Sequence, residues 1–284
     1  MKKTIIAAAF TMAALAGFAQ DTTTVTITTS GDSTKSSADD TLKIGTMVIV
    51  KKGEFPGEKN HIEWNHHHKN SRLQTSWLLL DLGYSNFSDK TDYSSQETME
   101  YTGGVPFSSS DFNLRQGKSI NVNVWIFRQR YGLTHDNGFN LTYGFVIETN
   151  NFRFENNPSF KKGGPPYVIH DTIDFDKNKL SASYFTVPVM IGFKTNPKSS
   201  STFNVNAGVS ISYLYSSRNK QISDERGKQK IKGNFNMQPW KFQVVAEMGW
   251  NWIKLYGAYA PQSMFKSGLD MRPYNIGLRL GGWD

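Results

Sequence analysis

His61, His66, His67 and His68 form the densest group of candidate metal ligands in the chain. Neutral imidazoles suit zinc, copper or nickel. Adjacent histidines in a polar segment do not by themselves build a defined site, and only Glu63 stands near enough in sequence to orient them. His170-Asp171 has the residue types of an acid–base pair, as a hydrolase would need. A catalytic histidine also requires an oriented partner and a nucleophile or an activated water, and adjacency along the chain supplies neither. No Gly-x-Ser-x-Gly elbow, phosphate loop or His-Glu-x-x-His motif occurs. The absence of cysteine rules out disulfides, thiol catalysis and cysteine metal ligands. The expectation is a chain with no catalytic residue, no metal site and no cofactor.

A second group offers charge instead of catalysis. Between residues 217 and 239, Arg218, Lys220, Arg226, Lys228, Lys230 and Lys232 are offset only by Asp224 and Glu225, a net charge of +4. Outside a membrane such a stretch would suit anionic lipopolysaccharide or glycan; a plain solvated loop is the blander reading. The whole chain carries a formal charge of +8, and removing Lys2 and Lys3 leaves +6. Nothing points to nucleic acid, because the aromatics sit on alternating runs and are not interleaved with basic residues.

The elements that must position these groups repeat eight times between residues 73 and 283. Each is a run of about ten residues alternating apolar with polar or tiny, followed by a turn or loop. In Phe203–Tyr213, Phe203, Val205, Ala207, Val209, Ile211 and Tyr213 share one face, and Asn204, Asn206, Gly208, Ser210 and Ser212 the other. Strand side chains alternate with a period of two, so one face prefers hydrocarbon and the other polar neighbours. Strands are expected near 75–86, 118–130, 139–150, 180–195, 202–216, 240–250, 252–261 and 273–283. The connections between them run long, short, long, short, long, short, long, with long ones near 87–117, 151–179, 217–239 and 262–272. Transmembrane barrels have short periplasmic turns and longer extracellular loops, and an even strand number puts both termini inside. A soluble sandwich has no reason to alternate its loop lengths in this way.

The outward sets include Leu78, Leu80, Leu82, Tyr84; Ile120, Val122, Val124, Ile126; and Val187, Val189, Ile191, Phe193. Tyr84, Tyr131, Tyr213, Tyr215, Trp240, Trp250, Trp252 and Trp283 stand near strand ends, where amphipathic rings sit at head-group level. The opposite faces collect Asp81, Glu148, Lys194, Lys241, Glu247, Lys254 and Arg279. Eight strands leave an interior that side chains can fill, and buried charges persist only when paired. Glu148 and Glu247 are therefore expected to meet Arg279 or the lysines, and Trp77, Trp125 and Phe127 to add inward bulk. The alternative is a narrow path for ions past Arg279 and Glu247.

Residues 1–19 read as a secretory signal peptide: Met1-Lys2-Lys3, an apolar stretch too short to span a bilayer, and small residues before Gln20. Mean hydropathy is −0.49, and no later run is long and apolar enough for a membrane helix. Residues 20–72 differ from the rest. They open as a Thr/Ser-rich linker, pass a short β-prone piece at 42–50, and read as a flexible periplasmic segment. Residues 73–284 would form the barrel.

The strand Leu180–Lys194, with Tyr184, Val187, Pro188 and the apolar residues after them, resembles the Tyr-x-x-(Ile/Val)-Pro strand of the PorT-like outer-membrane β-barrel family. Phe203–Gly208 and Tyr274–Leu280 are also similar to it. The resemblance implies an eight-stranded outer-membrane barrel without catalytic residues, and its namesake takes part in protein secretion. Pro188 fits a strand only where it is unpaired or bulged, so a local kink is expected there.

The fold expected is all-β, an eight-stranded antiparallel transmembrane barrel in the outer membrane of a Gram-negative bacterium, non-enzymatic, with a plugged polar interior. Its partners would be outer-membrane lipid and lipopolysaccharide, together with envelope or secretion-system proteins. A porin-like channel, a hydrolase around His170 and Asp171, and a soluble secreted sandwich are the alternatives.

Overall fold

The computed structural model describes residues 40–44, 47–51, 65–66, 72–195, 203–250 and 253–280. The chain divides into two compact units, Met1–Ser71 and Arg72–Asp284. In the first, β1 (Asp40–Ile44) and β2 (Met47–Lys51) make an antiparallel hairpin, and β3 (Asn65–His66) pairs with β2. The stretch 42–50, expected as one β-prone piece, is instead two arms folded back on each other, so the backbone finds its partners locally. The signal-peptide segment, the linker to residue 39, and His61, His67 and His68 lie outside the described residues.

The second unit contains β4 (Leu73–Asp89), β5 (Ile120–Gly132), β6 (Phe139–Phe154), β7 (Pro158–Lys161), β8 (Tyr167–His170), β9 (Lys177–Lys194), β10 (Phe203–Ser223), β11 (Gly227–Lys232), β12 (Trp240–Trp250), β13 (Ile253–Tyr259) and β14 (Met271–Leu280). Eight of these close an antiparallel ring in the order β4-β5-β6-β9-β10-β12-β13-β14, sealed by the β14–β4 and β9–β10 pairings. Closure removes every sheet edge within the ring, which hydrocarbon demands because it offers no partner to a free backbone group.

Side-chain sorting is inverted relative to a soluble protein. Val209 is 60% exposed and Ile276 59%, whereas the inward Ser212 is 0% and Asn206 1% exposed. Along β9 the apolar band from Phe185 to Phe193 covers eight residue steps, roughly 26 Å at ~3.3 Å each. That matches a bilayer core crossed by a tilted strand. At one end of the band stand Trp77, Phe139, Phe193 and Trp250; at the other stand Phe185, Tyr213, Tyr215 and Trp240.

Two irregularities re-aim side chains that simple alternation misplaces. At Leu78, with φ +52°, and opposite it at Ile126, the ladder breaks and the β5–β6 register shifts by one. Trp77 and Phe127, expected inside, therefore lie outside, where their rings pack 6.1 Å apart, and only Trp125 fills the lumen. The same shift turns Arg128 and Arg130 inward, to 3% and 7% exposure. Unbroken alternation from Ile120 through Ile126 would have aimed both guanidinium groups at lipid, at a cost of about 2–4 kcal/mol each near mid-bilayer. The second irregularity is a bulge at Tyr215, between Leu214 and Ser216. Beyond it the outward side chains of β10 are the even-numbered Ser216, Arg218, Lys220 and Ile222. At Pro188 no register shift occurs; pairing with β6 lapses opposite Gly144 and Phe145, which accommodates the missing N–H.

The long connections are not open loops. β6, β9 and β10 run 16, 18 and 21 residues, well past the ~9–11 that cross a bilayer. Residues 217–239, expected as a loop, are instead the continuation of β10 and its hairpin partner β11, paired from Arg218↔Lys232 to Ser223↔Gly227. β7 and β8 form another hairpin. In the 90–119 connection, helix α1 (Gln96–Tyr101) starts at Ser95, whose hydroxyl accepts from the Thr98 N–H, and ends near Gly103 and Gly104, both at positive φ. These segments share a dry core that includes Phe112, Phe154, Phe160, Phe235 and Phe265, all no more than 1% exposed. Leu180, Ala182 and Tyr184 from the upper part of β9 join it, so this apolar cap sits across one mouth of the barrel.

Candidate functional site

Inside the barrel, the facing residues form two charged groups. Arg279 donates to both carboxylate oxygens of Asp81, at 2.7 and 2.9 Å, and its other terminal nitrogen is 2.6 Å from Glu247. Arg128 donates to Glu247 at 2.9 Å, and the Trp125 indole N–H to Asp81 at 2.8 Å. The Arg279 guanidinium lies 4.4 Å from the centre of the Trp125 ring. In the second group Lys241 contacts Glu148 at 2.5 Å, and Asn150 and Thr186 donate to the same carboxylate at 2.9 and 3.0 Å. Lys254 also points inward and is buried. Six of the seven charged residues expected on the inner faces, Asp81, Glu148, Lys241, Glu247, Lys254 and Arg279, are thus buried in the lumen, while Lys194 at the end of β9 is half-exposed. Arg128, placed on the lipid side by alternation alone, belongs with them.

The lumen is narrowed further on both sides of these charges. Leu79, Trp125, Val146 and Met190 form an apolar layer within it. The Lys241 ammonium lies 4.1 Å from the centre of the Tyr184 ring, which also borders the cap core. Gly83 and Gly277 leave room for the Tyr256 ring, which a Cβ on either would strike, and its hydroxyl donates to Asn121 at 2.6 Å. Beside the charged groups lies a cavity of about 50 Å³, lined by Glu148, Trp125, Glu247 and Arg279 among others. That is room for a few waters among the ion pairs.

Outside the barrel and beyond its aromatic belt, β6, β9, β10 and β11 present a basic wall. Arg153 is opposite Lys179, Lys179 opposite Lys220, and Lys220 opposite Lys230, so one row of four cations crosses four strands. The flanking rows add Arg218 with Lys232, and Lys177 with Lys228. Among the described residues none of these eight cations lies within ion-pair distance of a carboxylate. Burial, and then the charges of Lys177, Arg218, Lys220 and Arg153, pull the Lys179 ammonium down to about 8. Lys220 is lowered too, by partial burial and then by Lys177 and the lysines of β11.

Five of the six anticipated anion-contacting residues (Arg218, Lys220, Lys228, Lys230 and Lys232) therefore share one surface. Arg226 does not. It turns to the hairpin tip and binds Asp171 at 3.0 Å. Arg153, Lys177 and Lys179 join the wall from distant stretches, and only strand register could have revealed them.

His170 and Asp171 do not form a pair. The His170 ring stacks on Phe107 at 3.8 Å, while the Asp171 carboxylate accepts from Ser159 at 3.0 Å and contacts Arg226 and Lys161. Burial alone would raise the Asp171 carboxyl, but the Ser159 hydroxyl and the two cations outweigh it and hold it below the usual carboxylate range. His170 Nε2 lies 3.9 Å from the Asp111 carboxylate, which accepts from the Ser108 hydroxyl at 2.8 Å, and among the described residues no hydroxyl is hydrogen-bonded to His170 as a base–nucleophile pair would require. Among the described residues no three His, Asp or Glu side chains converge on a metal position.

A family model described as "Outer membrane protein beta-barrel domain" matches residues 81–265, most of the barrel and its cap. No curated protein matches the chain. A solved structure, that of Ail, the attachment invasion locus protein of Yersinia pestis, is similar at 11% identity with a TM-score of 0.28, covering 72% of this chain and 98% of that one. A score that low carries no argument here.

Proposed function

The chain belongs to the outer-membrane β-barrel domain family, and from that premise we propose that it is a closed, non-enzymatic barrel that holds a folded cap at the surface of a Gram-negative outer membrane. The observation that carries this reading is the double seal of the lumen. Six of its charges pair in place, as Asp81–Arg279–Glu247–Arg128 and Glu148–Lys241, and the cap core lies across one mouth. A transport path would need mobile water between charged walls; ion pairs locked at hydrogen-bond distance and flanked by Trp125 and Met190 oppose one. The work of the molecule then falls to its exterior. The cap and outer wall would contact other envelope components, including secretion-system proteins, as the likeness of Leu180–Lys194 to PorT-like barrels invites.

Planar-bilayer recording of the purified full chain tests this reading. No stepwise conductance should appear above the lipid background. Stable unitary steps, abolished by a bulkier residue beside Glu247, would establish a channel instead.

A further inference from the structure

Among the described residues no carboxylate lies within ion-pair distance of the basic wall, and its position restricts what could supply a counter-charge. Like charges directly opposite each other on neighbouring strands destabilise a sheet. This sheet stacks them over four strands: Arg153, Lys179, Lys220 and Lys230. Lysines on the free edge of β11 could serve merely to deter edge-to-edge pairing. That explanation does not reach Arg153, Lys177, Lys179 or Lys220, which lie on strands already paired on both sides.

The wall also has a fixed height. On β9 the order outward from the membrane is Phe185, Ser183, Ser181, Lys179, Lys177. Phe185 stacks with Tyr215 at 4.3 Å, within the aromatic belt. Lys179 is six residues farther along, roughly 20 Å on an extended strand and less along the membrane normal because barrel strands tilt. Between them a polar step of Thr149, Ser183 and Ser181 replaces apolar side chains, with Thr149 and Ser183 hydrogen-bonded at 3.1 Å. The sequence of apolar band, aromatic belt, hydroxyl step and cation rows matches the depth profile of an anionic glycolipid: acyl chains, interface, sugars, and phosphate or acidic groups. Long lysine and arginine side chains can reach either way from their rows to meet those groups.

We propose that the outward surface of β6, β9, β10 and β11, centred on Lys179, Lys220 and Lys230, binds the phosphorylated headgroup of the glycolipid that forms the outer leaflet. Adjacent molecules would line up along this sector of the barrel and supply the missing negative charge. The proposal rests on the preceding reading in one respect, that the capped end is extracellular. Labelling a Gly227→Cys variant on intact cells tests that separately, since the chain has no other cysteine.

The test uses the full chain reconstituted in phosphatidylcholine nanodiscs. The probes are a glycolipid carrying phosphorylated core sugars on its lipid A, the same glycolipid dephosphorylated, and phosphatidylglycerol, with binding read from lipid retained at increasing dilution. A Lys179→Gln, Lys220→Gln, Lys230→Gln variant should lose about 100-fold in affinity for the phosphorylated glycolipid, at about fivefold per charge. The corresponding three Lys→Arg changes should keep it. Should the Gln variant fail the heat-shift assay for a closed barrel, Lys228→Gln with Lys230→Gln on the outermost strand, expected to lose at least about tenfold, replaces it. Unchanged retention in the folded Gln variant overturns the proposal. So does equal loss for phosphatidylglycerol and the phosphorylated glycolipid, which would make the wall a general anionic-surface contact. Conductance in the earlier experiment would sink the sealed-barrel reading and leave this one standing.

Discussion

The barrel and its cap bury opposite things. In the barrel the interior is ionic, with Asp81, Glu247, Arg279 and Arg128 in one group and Glu148 with Lys241 in another, while valine, isoleucine and leucine face outward. In the cap, built from the ends of those strands and the long connections, Phe112, Phe154, Phe160 and Phe265 face inward and charge faces water. β9 makes the change within itself, from Val187 outward in lipid to Leu180 inward in the cap. The lesson is that solvent alone decides which side of a strand is the inside. The covalent pattern of alternation is the same in both halves.

The largest effect should come from unbalancing the lumen. Glu148→Ala leaves Lys241 buried without its carboxylate, for a loss of about 3–5 kcal/mol in urea unfolding from lipid vesicles. The double change Glu148→Leu with Lys241→Leu should return stability close to the starting value, because the desolvation cost of both ions disappears. A double variant as unstable as the single one would break the contrast between an ionic and an apolar interior.

In the cap, Phe160→Ala should cost a comparable ~3–5 kcal/mol, but locally. Protease would then cut the 90–119 and 155–176 connections on intact cells while the barrel kept its heat shift on gels. Simultaneous loss of both would show that cap and barrel unfold as one unit.

On the outer surface Val209→Arg should cost about 2–4 kcal/mol in the same urea titration, although Arg128, which alternation alone assigns to the same surface, is tolerated where the bulge has turned it inward. That pair of arginines shows what sequence reading could and could not reach. Periodicity exposed the ring of strands because lipid on one side and packed polar groups on the other both write a period of two, from Leu78 to Leu280. It missed the bulges at Ile126 and Tyr215, since one extra residue leaves each half of a run alternating normally. Arg128 and Arg130 in line with Ile120–Ile126 were the available sign that the parity must change. The cap was hidden for a different reason. Phe107, Phe112, Phe160, Phe235 and Phe265 are scattered over four connections with no common period, and only their density in supposed loops hinted at a core. The wall was half legible, because the β10–β11 cations are close in sequence and Arg153, Lys177 and Lys179 are not.

A smaller effect separates the wall from both interiors. The folded-state value of Lys179, about 8, lies below its unfolded value of about 10.4. The cost of burying its charge, and then of the neighbouring cations, is therefore fully present below pH 8 and fades as pH rises through that value toward 10.4. Stability in zwitterionic micelles should climb over this window, and Lys179→Gln should gain about 1 kcal/mol at pH 7 after allowance for its partial exposure. The climb should vanish in the variant; its persistence would assign it to another group.

The most direct test of the inverted interior is cysteine labelling, which the cysteine-free chain allows without a background. Val209→Cys, Ser210→Cys and Ser267→Cys place single thiols toward lipid, lumen and the extracellular surface, and a membrane-impermeant maleimide is applied to intact cells. The sealed barrel predicts rapid labelling at position 267 and none at 209 or 210 until the protein is denatured. Rapid labelling at 210 with none at 209 would mean a lumen open to water, and would contradict the account.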